Sequence, residues 1–317
     1  MEQTRRDCAA EVPYDSLPLL PGSGLPHSWD VFGEKDEVGT VNRITTDAVS
    51  AAARLITAGQ RIGLTLPISL PDPPLFGREA ARHSISKGKY GWGDRLDGFD
   101  PQVSTQWDGL RHIRGHSDGF YGGWMGDSDH EPERLGVQRW AEGGIVGRGL
   151  LVDVAAQVDP FAGIAITTQH IENALAGAGL EARKGDILCV RTGWADRYLR
   201  LSRPERVALA AEFGEGKLAP WCGLRGDDEM ARFLWNTGFS AVAVDNPGVE
   251  VSPGDPWFGT LHRRLIPCLG FAIGELFRFG PLSEACLALG RWEFFFASIP
   301  LNFVGGVGTP ANAVAIL

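Results

Sequence analysis

The segment GRGLLVDVAAQVDPFAGIAITTQHIENALAGAGLEARKGDILCVRTGW, residues 147–194, contains the patterns of a strand, a helix and a second strand in sequence. Leu150, Leu151 and Val152 form a short apolar run that suits a buried strand. Residues 166–180 carry the spacing of a helix that Thr167 or Thr168 caps and that glycines end. Because GDILCVRTGW, residues 185–194, is apolar again, the segment indicates an α/β fold.

The same alternation continues on both sides of this segment. Towards the carboxyl end, we predict a helix over DDEMARFLWNTG, closed by Gly238, and strands over FSAVAVDNP, CLGFAIGEL and RWEFFFASIPL. Towards the amino end, a helix is expected from Thr46 to about Ala58, followed by a half-buried strand over RIGLTLPISL that ends at Pro71. The order predicts a mixed sheet with helices packed outside it and leaves the strand topology open.

Two regions lack these patterns. Residues 1–44 are rich in Pro and Gly, and we expect them to wrap the surface. Residues 72–102 are predicted to form a long loop, and because such loops are uncommon unless they cover a site, we expect this one near a pocket. Since no linker, repeat or low-complexity tract divides the chain, residues 1–317 are predicted to form one domain.

Composition excludes several classes of partner. Of 317 residues, 30 are Lys or Arg and 39 are Asp or Glu, and the scattered basic residues give a net charge of -9 that disfavours nucleic acid and anionic lipid. No segment approaches the ~20 apolar residues of a membrane span, and the amino terminus lacks the apolar core of a signal peptide. The five cysteines form no C-x-x-C pair, which is typical of reduced thiols. We therefore expect a cytoplasmic protein with a small-molecule substrate.

Polar side chains concentrate in STQWDGLRHIRGHSDGFYGG, residues 104–123. Trp107 and Leu110 are expected to anchor the segment while Asp108 and His112 project into a cleft; a solvated loop with incidental histidines is the alternative. A second cluster, LHRRLIPCLGFAIGEL, places His262 on a short helix and Glu275 in an apolar strand. A buried carboxylate needs a partner, so Glu275 is expected to face a cation or a histidine, with a structural ion pair as the alternative.

Several separated segments resemble the cyclase family that includes bacterial kynurenine formamidase, isatin hydrolase and trans-dienelactone hydrolase. They are WDVFGEKDEVGTVNRIT, STQWDGLRH, GRGLLVDV, KGDILCVRTGW, AVDNPGVEV, residues 262–275 and GGVGTPANAVAI. The family's metal motif, H-x-G-T-H-x-D-x-P-x-H, aligns its Asp with Asp108 and its last His with His112. The two earlier histidines fall on Gln102 and Gln106, and the Pro falls on Leu110. Neutral amides are weaker ligands than imidazole, so this chain departs from the family at two metal positions.

The resemblance implies a swivelling β/β/α fold, assembly as a homodimer or homotetramer, and a divalent ion, Mn or Zn. The implied ligands are Asp108, His262 and Glu275, with Gln106 and Gln102 at the substituted positions. The terminal GGVGTPANAVAIL is expected either in a subunit interface or closing over the core.

By resemblance, the predicted function is metal-assisted hydrolysis of an amide, imide or lactone in a small cyclic or aromatic substrate, with His112 as general base and Asp108 and Glu275 as further catalytic residues. The alternative is a metal-independent cyclase, dehydratase or lactonase in which Asp108 and His112 act as acid and base and the Gln102 and Gln106 amides donate hydrogen bonds. A silent binding protein is a third possibility. The side chains expected to bind substrate are Trp107, Arg111, Phe120, Tyr121, Trp124 and Trp92. The participation of His116 and Asp118 is left open.

Overall fold

The computed structural model describes residues 12–127, 129–214, 218–255, 257 and 259–317. Predictions for Cys8 and for the first eleven residues lie outside this range. The strands of the described residues are β1 (Arg61–Gly63), β2 (Arg82–Lys87), β3 (Trp92–Asp97), β4 (Gln106–Asp108), β5 (Ile145–Asp153), β6 (Ala165–Ile166), β7 (Ile187–Arg191), β8 (Gly223–Leu224), β9 (Ala241–Val244), β10 (Ala272–Glu275), β11 (Glu293–Ser298), β12 (Gly308–Pro310) and β13 (Ala313–Ile316).

The α-helices are α1 (Thr46–Ala53), α2 (Gln138–Ala141), α3 (Thr168–Gly177), α4 (Trp194–Arg200), α5 (Arg203–Ala211), α6 (Asp228–Thr237), α7 (Leu261–Arg263) and α8 (Gly280–Leu289). Short 3-10 helices cover Tyr14–Ser16, Gly39–Arg43, His116–Asp118 and Tyr121–Gly123, and a π-helix continues α7 over Arg264–Leu269.

Within the described residues, nine strands form one mixed sheet in the order β1-β13-β11-β5-β7-β9-β10-β4-β12. The strands β5, β7, β9 and β10 run parallel, and the flanking strands join them antiparallel. Parallel strands are buried on both faces, which explains their continuous apolar sequences. In β7, for example, Leu188 and Val190 face one hydrophobic cluster while Ile187 and Cys189 face the other. The predicted mixed α/β fold is therefore confirmed.

Most of the predicted elements are present, with changes at their ends. Helix α3 starts after Thr167, whose side chain forms a capping box with His170, and α6 ends at Thr237, followed by Gly238 as a left-handed cap. The first helix ends at Ala53 rather than near Ala58, because the backbone N–H groups of Ala58 and Gly59 donate to the carbonyl of Leu317 instead.

Three regions differ from the prediction. The predicted loop 72–102 contains a hairpin of β2 and β3 whose residues are almost all exposed, so no apolar alternation marks it. The strand predicted over residues 61–70 is limited to β1. The first residues of CLGFAIGEL belong to the π-helix, which ends at Leu269 and is capped by Gly270, so β10 begins only at Ala272.

Both ends of the described chain are packed against the body of the protein. Near the start, Tyr14 donates from its hydroxyl to Asp228 of α6 at 2.7 Å. At the other end, β12 pairs with β4 and β13 lies between β1 and β11, so the terminal segment is part of the sheet. The described cysteines, Cys189, Cys222, Cys268 and Cys286, are free and buried. Among the described residues, no helix has the length and apolar character needed to cross a bilayer.

Candidate metal centre and active site

The pairing of β4 with β10 places three polar side chains on one face of the sheet. Gln106 lies directly opposite Glu275, and Asp108 lies two residues further along β4. Because side chains alternate along a strand, Gln106 and Asp108 point to the same side and Trp107 to the other. Gly274, opposite Trp107, has no side chain, and a Cβ there would meet the Trp107 ring at 2.8 Å.

These side chains face a cleft of about 290 Å³, a size suited to a small molecule. The cleft is lined by Phe76, Arg78, Gln106, Asp108, His112, Leu218, Trp221, Pro247, Gly248, Glu250, His262 and Glu275.

His262 of α7 enters this cleft between three carboxylates. Its Nδ1 lies 2.6 Å from Oε2 of Glu250, and its Nε2 lies 3.1 Å from Oε1 of Glu275 and 3.5 Å from Oδ2 of Asp108. A hydrogen bond from Nδ1 to a carboxylate leaves Nε2 as the ligand atom of a neutral imidazole, which is the arrangement found around metal-bound histidines. Asp108, His262 and Glu275 offer ligand atoms that all lie within 4.8 Å of one another.

Two buried oxygen atoms beside this cluster have no hydrogen-bond donor among the described residues. They are Oδ2 of Asp108 and Oε1 of Gln106. The amide nitrogen of Gln106 donates to Oε2 of Glu275 at 3.0 Å. Buried oxygens without partners are costly, and two carboxylates, one imidazole and one amide oxygen form a donor set that suits Mn or Zn. The residues present therefore fit a divalent ion, with Gln106 as an oxygen donor.

His112 and Gln102 lie at the other side of Asp108. The amide nitrogen of Gln102 donates to Oδ1 of Asp108 and lies 3.1 Å from Nδ1 of His112. This close approach requires Gly308 on the neighbouring strand, because a Cβ there would meet Cγ of Gln102 at 2.4 Å. The Nε2 of His112 lies 3.8 Å from Oδ2 of Asp108. Gln102 therefore orients Asp108 and His112, and it is absent from the residues that line the cleft.

The carboxylates and the imidazole influence each other's protonation. Burial alone would raise the pKa of Asp108, but the positive fields of His112 and His262 hold that pKa below its ordinary value. Burial and the nearby charge of Asp108 raise the pKa of Glu275. Burial alone would lower the pKa of His262, but Glu250, Asp108 and Glu275 raise that pKa well above its ordinary value.

The sequence did not single out Glu250, although the signal used for Glu275 was available. Glu250 lies between Val249 and Val251, and an acid in such an apolar run needs a partner. Sequence reasoning also missed Phe76, Arg78 and Trp221. Trp221 stacks on Phe213, whose ring centre lies 5.6 Å away, and the ring of Phe76 packs edge-on against both. Phe76 and Trp221 contribute an apolar wall to the cleft, and Phe213 packs behind them.

The residues expected to bind substrate lie elsewhere. Trp107 is fully buried in the core, where its indole N–H donates to Ser298 at 2.8 Å, as the anchoring prediction for this residue requires. Tyr121 is also fully buried and donates to Asp36 at 3.2 Å. Trp92 is 72% exposed on the β2–β3 hairpin. None of these three residues lines the cleft.

Arg111, Phe120 and Trp124 form a separate group, and none of the three lines the cleft. The guanidinium of Arg111 lies 4.8 Å from the Trp124 ring and donates to the carbonyl of Pro132 at 2.9 Å. Phe120 packs on Trp124 with ring centres 5.4 Å apart. The aromatic wall therefore comes from Phe76 and Trp221 rather than from the residues that follow Asp108 in the sequence.

His116 and Asp118 lie outside the cluster. His116 lines a different cleft, where its Nδ1 lies 3.2 Å from Nη1 of Arg263. Asp118 accepts hydrogen bonds from the backbone N–H groups of Gly22 and Ser23 at 2.8 and 3.0 Å, which fastens the amino-terminal segment.

Comparisons with known proteins agree with this fold. Residues 62–251 match the family model Cyclase, described as "Putative cyclase". A solved structure described as a novel cyclase is 28% identical to this chain and superposes on it with a TM-score of 0.80. The alignment covers 92% of this chain and 99% of that one. No curated protein gives a significant match.

Two isatin hydrolases share the fold at lower identity. Isatin hydrolase A from Ralstonia solanacearum is 15% identical with a TM-score of 0.61, and the alignment covers 86% of this chain and 97% of that one. The enzyme from Labrenzia aggregata, solved with benzyl benzoate, is 16% identical with a TM-score of 0.56, with 81% and 93% covered. On the extent of the family match, the chain belongs to the Cyclase family.

Proposed function

We propose that this protein is a metal-assisted hydrolase that cleaves an amide, imide or lactone bond in a small cyclic or aromatic substrate. The observation that carries the proposal is the cluster of Asp108, His262 and Glu275, whose ligand atoms lie within 4.8 Å of one another beside buried oxygens without donors. The family match and the fold shared with isatin hydrolases support a hydrolytic reaction.

Asp108, His262 and Glu275 would hold a divalent ion, Mn or Zn, with Oε1 of Gln106 as a further oxygen donor. Such an ion would polarise a substrate carbonyl and favour deprotonation of the attacking water. Glu250 fixes the His262 ring by accepting from Nδ1, and the N–H of Val249 donates to Oε1 of Glu275 at 2.9 Å. These contacts position the ligand atoms before substrate arrives.

We assign His112 the transfer of protons at the reacting bond. His112 would take a proton from the attacking water and later donate it to the leaving group, as acid–base catalysis requires. Gln102 positions the ring for these transfers, because its amide nitrogen donates to Oδ1 of Asp108 and lies 3.1 Å from Nδ1 of His112.

The metal-independent alternative requires the Gln102 and Gln106 amides to stabilise an oxyanion. Both amide nitrogens already donate to carboxylates, Gln102 to Asp108 and Gln106 to Glu275. Their engagement favours the metal-assisted mechanism, since oxyanion stabilisation needs donors that are free to face the substrate.

A panel of isatin, phthalimide, dihydrocoumarin and formanilide tests the proposal, with protein loaded with Mn or Zn and with protein treated with chelator. We expect hydrolysis of at least one compound that depends on added metal. His112→Gln should lower this rate about 10²–10⁴-fold without changing metal affinity. His130→Gln, on an exposed turn, is the matched control. Full activity of His112→Gln, or activity that survives complete metal removal, would contradict the mechanism.

A further inference from the structure

One arginine faces the same cleft as the proposed catalytic residues. Arg78 is the only Lys or Arg among the described residues that line it, and its side chain is 21% exposed. The proposed mechanism gives Arg78 no role. The charge of a guanidinium beside a substrate cleft would select among substrates by their own charge.

A fixed turn holds Arg78 in this position. The preceding Phe76 has a φ of +59°, which is uncommon for a residue with a side chain, and Gly77 follows with a φ of +68°. The N–H of Arg78 donates to the carbonyl of Leu75 at 3.2 Å and closes the turn. Because the Phe76 ring packs against Phe213 and Trp221, the strained backbone is held by side-chain packing. Strain maintained in this way is typical of residues that bind ligands.

The contacts of the Arg78 guanidinium involve its Nε and one of its faces and leave its two terminal nitrogens available. Its Nε lies 3.3 Å from Oδ2 of Asp100, and its central carbon lies 5.5 Å from the centre of the Phe76 ring. In the part of the chain that the structure describes, neither terminal nitrogen of Arg78 has a hydrogen-bond partner. The other carboxylate oxygen of Asp100 accepts from the backbone N–H of Gln102 at 2.9 Å, which fixes Arg78 relative to the residue that orients His112.

We propose that Arg78 binds a carboxylate of the substrate through its two terminal nitrogens. Resting on the proposed function, this inference narrows the substrates to cyclic or aromatic acids whose anionic group is separate from the bond that is cleaved. A planar guanidinium fork matches a carboxylate with two parallel hydrogen bonds, and such charge-assisted pairs are stronger than neutral ones. The ring of the substrate would lie against Phe76 and Trp221.

Binding of two stable probes tests the inference without turnover. The probes are 3-acetylbenzoate and 1,3-diacetylbenzene, which share a ring and a ketone and differ in the carboxylate. By calorimetry with metal-loaded protein, we expect 3-acetylbenzoate to bind at least tenfold more tightly than 1,3-diacetylbenzene. Arg78→Met should remove this preference while leaving the affinity for 1,3-diacetylbenzene unchanged, which also shows that the cleft is intact.

Arg95→Met is the matched control, since it removes the same charge from an exposed hairpin strand where Arg95 pairs with Asp97. It should keep the preference. Equal affinity of the wild-type protein for both probes, no binding of either, or a preference that survives Arg78→Met would overturn the inference. If the preference depends on Arg78 but neither the hydrolysis panel nor 3-formamidobenzoate, the carboxylate-bearing counterpart of formanilide, is cleaved, the proposed reaction fails alone. Metal-dependent hydrolysis together with equal affinity for 3-acetylbenzoate and 1,3-diacetylbenzene would refute only the role of Arg78.

Discussion

Replacing Gln106 by Glu tests whether the cluster of Asp108, His262 and Glu275 binds a metal ion or is held by hydrogen bonds alone. The substitution places a carboxylate oxygen where the amide nitrogen of Gln106 now donates to Glu275 at 3.0 Å. At an effective dielectric constant of about 20, two charges at that distance repel by roughly 5.5 kcal/mol. Keeping one of the two Glu side chains protonated at pH 7 costs less, about 3.7 kcal/mol. The ordinary pKa of Glu, about 4.3, lies about 2.7 units below pH 7, and each unit is worth about 1.36 kcal/mol.

Proton uptake therefore limits the penalty, and we expect the metal-free Gln106→Glu protein to lose about 3–4 kcal/mol of its free energy of unfolding. With an unfolding entropy of about 2.1 cal/mol/K per residue, this loss lowers the melting temperature by about 5 °C. A divalent ion between the carboxylates removes the repulsion, so the variant should bind Mn or Zn at least about tenfold more tightly than the wild-type protein, equal to about 1.4 kcal/mol. The added ion should restore most of the lost melting temperature.

Gln138→Glu is the control for this experiment. Gln138 is also buried, and its amide donates to the carbonyl of Glu133 and accepts from the N–H of Gly305, so Glu at this position also loses a donor. We expect Gln138→Glu to destabilise the fold with no added stabilisation by metal. Thermal unfolding and calorimetric titration with each ion measure both effects. The reasoning is refuted if metal stabilises the Gln106→Glu protein no more than the wild-type or the Gln138→Glu protein.

Two further predictions follow from the same contacts. Trp107→Ala should lower the free energy of unfolding, measured in denaturant, by about 3–5 kcal/mol, because the buried ring packs against Phe277 and Phe296. As a control, Trp92→Ala on the exposed hairpin should change it by less than about 0.5 kcal/mol. Equal effects of the two substitutions would contradict the core placement of Trp107. Metal affinity should rise with pH through neutrality, because the raised pKa of His262 means that the ion must displace a proton. Glu250→Gln should weaken this pH dependence, because it lowers the pKa of His262. Calorimetric titrations at several pH values test this, and plots of metal affinity against pH with the same slope for both proteins would contradict it.

The sequence predicted the centre of the sheet better than its edge. The strands β5, β7 and β9 appear as apolar runs because the sheet buries most of their residues, and β11 is an apolar run of which every second residue is buried. Strand β4 has only three residues, two of them polar, and its burial results from pairing with β10 and β12, which lie more than 160 residues away. Local periodicity carries no information about such a pairing.

The cluster itself was accessible from sequence, but the wall of the cleft was not. The family motif and the cost of burying Glu275 identified Asp108, His112, His262 and Glu275, and these four residues line one cleft. The aromatic residues next to Asp108 in the sequence were natural candidates for the wall. Alternation along β4 turns Trp107 into the core instead, and the turn at Phe76 brings a distant aromatic ring into the cleft.

Diffraction from crystals of the protein loaded with Mn or Zn, with data collected at the absorption edge of the metal, tests the central claim directly. We predict one anomalous peak in the cleft, about 2.0–2.2 Å from Nε2 of His262 and from one carboxylate oxygen each of Asp108 and Glu275. A map with no peak at these three side chains, from crystals whose metal content is otherwise established, would contradict the proposed metal centre.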